Sequence, residues 1–247
     1  MIKLLAPVPA KDPLMQRLAQ AKWAVMRADG FIGFLANELP TEIVPADHHI
    51  DTAATDYRRF YYNEKWCDGL TGPELIFVVI HECLHVLLAH GRRRSDRVHE
   101  LFNIAADHVI NLMIQASFGP RSKNPIAAMP LDRSLSPPQP IGCMDAAFTG
   151  LTSEEVYDKL MGEVRKLGVP VDAFLSAIAG KGNAGDILTN VPQEVQNRLR
   201  SFDPSSAPSG EDVQQDQRAA IAAAVARALT RAVSHRHSRG QGSEPSE

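Results

Sequence analysis

The stretch from Leu75 to His90 constrains this chain more than any other. It follows Thr71-Gly72-Pro73-Glu74, which reads as a capping box with proline in the first turn, and it runs on without a breaker. Gly91 is positioned to end it in a left-handed turn, and Arg92, Arg93 and Arg94 suit the negative end of the helix. Apolar residues fall on nearly every face: Leu75, Ile76, Phe77, Val78, Val79, Ile80, Cys83, Leu84, Val86, Leu87 and Leu88. A helix that is apolar all round is a buried helix. Yet this one also carries His81, Glu82, His85 and His90. Removing ionisable groups from water is costly unless something pairs with them.

A metal ion is such a partner. His81-Glu82-Cys83-Leu84-His85 is a His-Glu-x-x-His sequence. On a helix, residues four apart share a face, so both imidazoles reach one ion. Glu82 lies about a third of a turn away, within reach of a coordinated water. Two imidazoles and a carboxylate with an open fourth position suit zinc, which lowers the pKa of a coordinated water toward about 7.

A third ligand is then needed. The candidates downstream are His90, His99, Glu100, Asp107 and His108. Asp107 is the best of them. It lies in the helical segment Asn103 to Asn111 among small and apolar residues, far enough from His85 for a turn and an antiparallel return. Asn111, one turn beyond Asp107, is suited to orient a ligating histidine from behind, and Asn103, one turn before, to do similar work. His108 points away from Asp107 and reads as a core or supporting residue. His90 lies over a turn beyond His85 and is placed to line the cleft. The His48-His49 pair and His235-Arg236-His237 read as solvated loop and tail.

The remaining pattern gives the setting. Leu14 to Leu39 reads as helix, broken at Gly30 and Gly33. Thr41 to Val44 and Tyr57 to Tyr62 belong to two or three short strands. A second long helix runs from about residue 97 to Phe118, followed by a proline-rich loop over 120–150 and a helix from Thr152 to Leu167. Beyond it lie a short helix over 171–179, a loop over 180–185, a linker over 205–210 and an alanine-rich helix over 211–233. The net charge of -3 gives no basic field for nucleic acid, and no apolar run is long enough for a membrane. Three widely spaced cysteines, Cys67, Cys83 and Cys143, favour a reduced, cytoplasmic protein over a disulfide framework. No P-loop, dinucleotide fingerprint or Gly-x-Ser-x-Gly occurs.

Several separated blocks resemble one family. Asp51 to Asp56, Tyr61 to Glu64, Leu70 to Leu75, His81 to His90, Asn103 to Asn111 and Leu151 to Tyr157 are similar, in order, to the metallopeptidase domain found N-terminal to VWA-like domains in bacterial and phage proteins. The resemblance covers roughly residues 15 to 160. It implies a zincin-like fold, a zinc ion held by His81, His85 and Asp107, Glu82 as catalytic base, and association with a MoxR-type AAA+ ATPase or a VWA-domain partner. An aspartate in third position departs from the commoner glutamate or histidine. The family usually continues into a VWA-like domain, whereas this sequence stops at Glu247.

The expectation is therefore an α+β zincin-like domain. A small sheet from residues 41 to 62 packs on the active-site helix, and the C-terminal half is mostly helical. Residues 1–160 form the core, 161–233 a helical extension and 234–247 a flexible tail. The expected activity is zinc-dependent hydrolysis of peptide or protein substrates, with a strand near Tyr57 to Asn63 binding an extended peptide by edge addition. The alternative is a metal-stabilised adaptor without turnover.

Overall fold

The computed structural model describes residues 12–167, 171, 222–223 and 225–231. The helix over 171–179 (beyond its first residue), the 180–185 loop, the 205–210 linker and the tail expected from the sequence lie outside them.

Asp12 starts the first helix, α1 (Pro13–Ala28), by accepting the Leu14 N–H at 2.8 Å, with Pro13 in the first turn where no amide hydrogen is needed. The break before α2 (Gly30–Glu38) falls at Asp29 rather than at the glycines. Asp29 is extended. Its N–H closes α1 on Val25 O at 2.7 Å, and its carboxylate accepts the Phe31 and Ile32 amides at 2.9 Å each. Gly33 instead sits inside α2 where that helix crosses α1. A Cβ there would lie 2.2 Å from Met26 Cα. Gly33→Ala is therefore expected to force the two helices apart and to lower stability by about 2 kcal/mol, read as a lower urea midpoint.

The sheet has three short strands, β1 (Thr41–Val44), β2 (Ala53–Thr55) and β3 (Phe60–Asn63), in the order β1-β3-β2. β1 runs parallel to β3 and β2 antiparallel, with Thr41 opposite Phe60 and Ala53 opposite Tyr62. This corrects the expected edge strand near Tyr57 to Asn63. β3 is central and its hydrogen bonds are taken on both sides, so it cannot add a peptide strand. Tyr57 lies before it in a turn with φ of 68°.

After the short α3 (Glu64–Asp68) comes the buried helix α4 (Gly72–Leu87). Its capping box forms as read: the Thr71 N–H donates to Glu74 Oε2 at 2.7 Å. Its other end differs from the reading. Ala89, not Gly91, takes the left-handed conformation, with φ of 51°. Arg93 answers the helix end by donating to Leu88 O at 3.3 Å, so a guanidinium does what a glycine turn was expected to do. The chain then makes α5 (His90–Arg93) and the long α6 (His99–Phe118). A two-stranded hairpin, β4 (Leu131–Asp132) and β5 (Gln139–Pro140), and a 3-10 turn at Ala146–Phe148 occupy the proline-rich loop. The last long described helix is α7 (Ser153–Leu167).

α4 packs against α1, α2, α6 and β2, which explains why its apolar residues wrap all round it. α7 covers the other side of α6 through Leu101, Phe102, Ala105, Val156, Leu160 and Val164. The described part of the alanine-rich helix returns to the first core, where Ala228 is buried and Arg227 Nε pairs with Glu38 Oε2 at 2.6 Å. Among the described residues no helix is long and apolar enough to cross a membrane.

Glu74 holds the start of α4 to the hairpin. Its carboxylate, 2 % exposed, accepts from Thr71 N–H and hydroxyl, from Leu131 N–H at 3.0 Å and from Arg133 Nη2 at 2.7 Å to each oxygen. Burial alone would raise its pKa, but these donors outweigh burial and hold it below the ordinary value. A lowered native pKa contributes stability at neutral pH. That contribution shrinks as the pH falls below the unfolded value of about 4.3 and is gone once it passes the native one. Glu74→Gln should therefore flatten the acid limb of stability against pH, measured by urea melts from neutral pH downward.

Candidate metal centre

α4 presents His81 and His85 one turn apart, and α6 presents Asp107 opposite them. His81 Nε2 and His85 Nε2 are 3.0 Å apart. Asp107 Oδ1 lies 3.2 Å from His85 Nε2 and 3.4 Å from His81 Nε2. Four ligands about 2.05 Å from a zinc ion at tetrahedral angles stand about 3.3 Å from one another. The three atoms thus outline one face of such a tetrahedron. Among the described residues Asp107 Oδ1 is buried, and apart from the two imidazoles no hydrogen-bond partner reaches it, which suits an acceptor that can ligate a cation. The donor set and its spacing fit a divalent metal ion.

The electrostatics agree. Burial works to raise Asp107, yet the two imidazoles beside it hold its carboxyl well below the usual carboxylate range. Burial works to lower His81, but Asp107 outweighs it and leaves His81 above its ordinary value. Protons and a metal ion compete for these nitrogen lone pairs, so metal occupancy falls as the pH drops.

The surrounding residues fix which lone pairs face inward. Asn111 Nδ2 donates to Cys143 O at 2.8 Å, so its Oδ1 must be the atom 2.9 Å from His81 Nδ1. His81 therefore carries its proton on Nδ1 and offers Nε2 to the site. Gly142, at φ of 123°, lets the loop backbone pass close to Asn111. Asn103 does not reach either histidine; its Nδ2 lies 3.4 Å from Asp107 Oδ2. His108 faces the loop, where its Nδ1 accepts the Asp145 N–H at 3.1 Å and its ring meets Phe148 edge-on. Burial pushes it down to about 4. His90 is turned back by the left-handed Ala89 onto His85, with Nδ1 atoms 3.2 Å apart, and burial followed by neighbouring cationic groups pushes it down to about 3. His99 and Glu100 pair loosely with each other at 4.0 Å and are not part of the triad, and His48 and His49, their rings tilted by 36°, lie in the loop before β2.

Glu82 is buried on α4, yet among the described residues nothing hydrogen-bonds its carboxylate. Its charge is felt by Tyr57, whose phenol accepts the Gly91 N–H and is pushed up to about 12, chiefly by burial. All three cysteines are buried thiols outside any disulfide, and none is placed with the triad.

A family model described as "Putative metallopeptidase domain" matches residues 13–247. The chain belongs to that family. The family match spans residues 13–247, and His81, His85 and Asp107 converge within that span. Comparison with curated proteins and with solved structures yields no match.

Proposed function

We propose that this domain is a zinc-dependent peptidase in which His81, His85 and Asp107 hold the metal and Glu82 is the general base. One observation carries the reading. Three ligand atoms from two helices converge at tetrahedral spacing, one of them a buried carboxylate oxygen that only the two imidazoles approach among the described residues, and Glu82 stands between the two histidines in sequence. Two imidazoles and a single carboxylate favour zinc over magnesium or calcium, which take mostly oxygen ligands.

A zinc ion there would supply Lewis acidity to the scissile carbonyl and to the attacking water. The chain's own residues do the rest. Asn111 keeps the His81 lone pair inward, and Asp107 lends the negative charge that balances the cation. Glu82, whose carboxylate accepts no hydrogen bond among the described residues, takes the proton from the attacking water and returns it to the leaving amine. Of the tyrosines near the sheet, Tyr61 is tied to Asp56 at 3.0 Å and Tyr62 is wholly buried. That leaves Tyr57, protonated at any working pH, as the side chain suited to donate to the oxyanion.

The test is chelation and reconstitution. Cleavage of an unfolded protein such as denatured casein should stop on removal of metal and return with one equivalent of zinc per chain. Cleavage that persists in metal-free protein, or is absent from zinc-loaded protein, contradicts the proposal.

A further inference from the structure

We infer that His90 is the positioning residue for His85, and that Ser153, the first residue of α7, sets His90 in turn. This deepens the metal reading above and rests on it. A histidine that binds metal through Nε2 must hold its proton on Nδ1 and needs an acceptor there. For His85 that acceptor is His90 Nδ1, 3.2 Å away. His90 can accept only if its own proton sits on Nε2, the atom 3.0 Å from Ser153 Oγ. The order of protons is then fixed along the row: His85 Nδ1–H donates to His90, and His90 Nε2–H donates to the serine hydroxyl oxygen. Run the other way, with serine donating to His90 and His90 to His85, the same row would put a proton on His85 Nε2 and block the metal. Each imidazole holds one proton in either order, so no net charge changes.

The geometry is built rather than incidental. His90 and Ser153 are 3 % and 1 % exposed, so water does not substitute for either partner. The left-handed residue Ala89 is what carries His90 back over His85. Phe102 packs edge-on against the His90 ring from α6. Arg93, three residues on, pairs with Glu154 through Nε at 2.8 Å, which fastens α5 to the start of α7. Thr152 and Glu155 form the capping box that fixes Ser153, with the Thr152 N–H donating to Glu155 Oε2 at 2.7 Å. The two ligating histidines thus have different supports. His81 leans on an amide from its facing helix α6, and His85 leans on an imidazole anchored by α7.

The experiment measures zinc affinity by competition with a chromogenic chelator for the wild type, His90→Leu, His90→Gln and Ser153→Ala. His90→Leu should bind zinc about 10–100-fold more weakly. His90→Gln, whose amide oxygen can accept from His85 Nδ1–H, should recover most of the loss, which a space-filling role would not predict. Ser153→Ala should weaken binding less than His90→Leu. Long-range proton–nitrogen NMR of the zinc-loaded wild type should show His85 protonated at Nδ1 and His90 at Nε2. This reading decides the matter if a variant fails to fold. Wild-type affinity in His90→Leu, or a proton on His90 Nδ1 in the zinc form, overturns the inference. A wild type that binds no zinc overturns the metal centre beneath it instead.

Discussion

Glu82→Gln is expected to lower peptide hydrolysis by about 10²–10⁴-fold while leaving the metal in place. The amide keeps the size and shape of the carboxylate but cannot take a proton from water. Glu82 makes no hydrogen bond within the described residues that its replacement would break, so the fold and the ligands should be undisturbed. The check is the kcat of the two proteins on one substrate, with bound zinc measured in both. Full activity in Glu82→Gln would remove Glu82 from the chemistry. Equal inactivity of both proteins, each holding one zinc, would favour the alternative of a metal-stabilised adaptor without turnover.

Asp107→Asn should cost the site most of its affinity. Structural zinc sites bind with roughly 10–16 kcal/mol spread over their ligands, so losing one anionic ligand weakens binding by about 3 kcal/mol, or 10²–10³-fold. The substitution keeps the volume of the side chain, which separates ligation from packing. The thermal midpoint gives the readout. Zinc at 100 times its dissociation constant stabilises the native wild type by about 2.7 kcal/mol, and the same concentration should barely move Asp107→Asn. In the absence of metal the variant's stability reports how much the pairing of Asp107 with His81 and His85 contributes by itself. An unchanged zinc-dependent shift in the variant would exclude Asp107 as a ligand.

The legible parts of this chain were those written in local chemistry. The apolar wrap of α4, its capping box and the four-residue spacing of His81 and His85 all follow from helix geometry. Asp107 was reachable from the small, apolar company it keeps on the next helix. What could not be read was set by tertiary contacts. Nothing local marks Ala89 as left-handed, because the Leu88 carbonyl is satisfied by Arg93 and not by a glycine turn. That displaced turn is why His90, which looked like a continuation of the α4 face, instead doubles back on His85. Gly33 read as a helix breaker; it is the point of closest approach of two helices, a distance no sequence contains. The strand order β1-β3-β2 was likewise invisible, since the run of β-formers around Tyr61 looks the same at an edge as in the centre. Asn103, suited by spacing to support a histidine, instead reaches Asp107, because the turn of α6 aims it along its own helix.

X-ray absorption at the zinc edge of the purified, zinc-loaded protein tests the central claim most directly. The account predicts one ion per chain with two imidazole nitrogens and carboxylate or water oxygens, all about 2.0–2.2 Å away, and loss of the imidazole scattering in a His81→Ala, His85→Ala double variant. A spectrum without histidine in the first shell, or one with sulfur at about 2.3 Å from a cysteine, would place the metal elsewhere and contradict it.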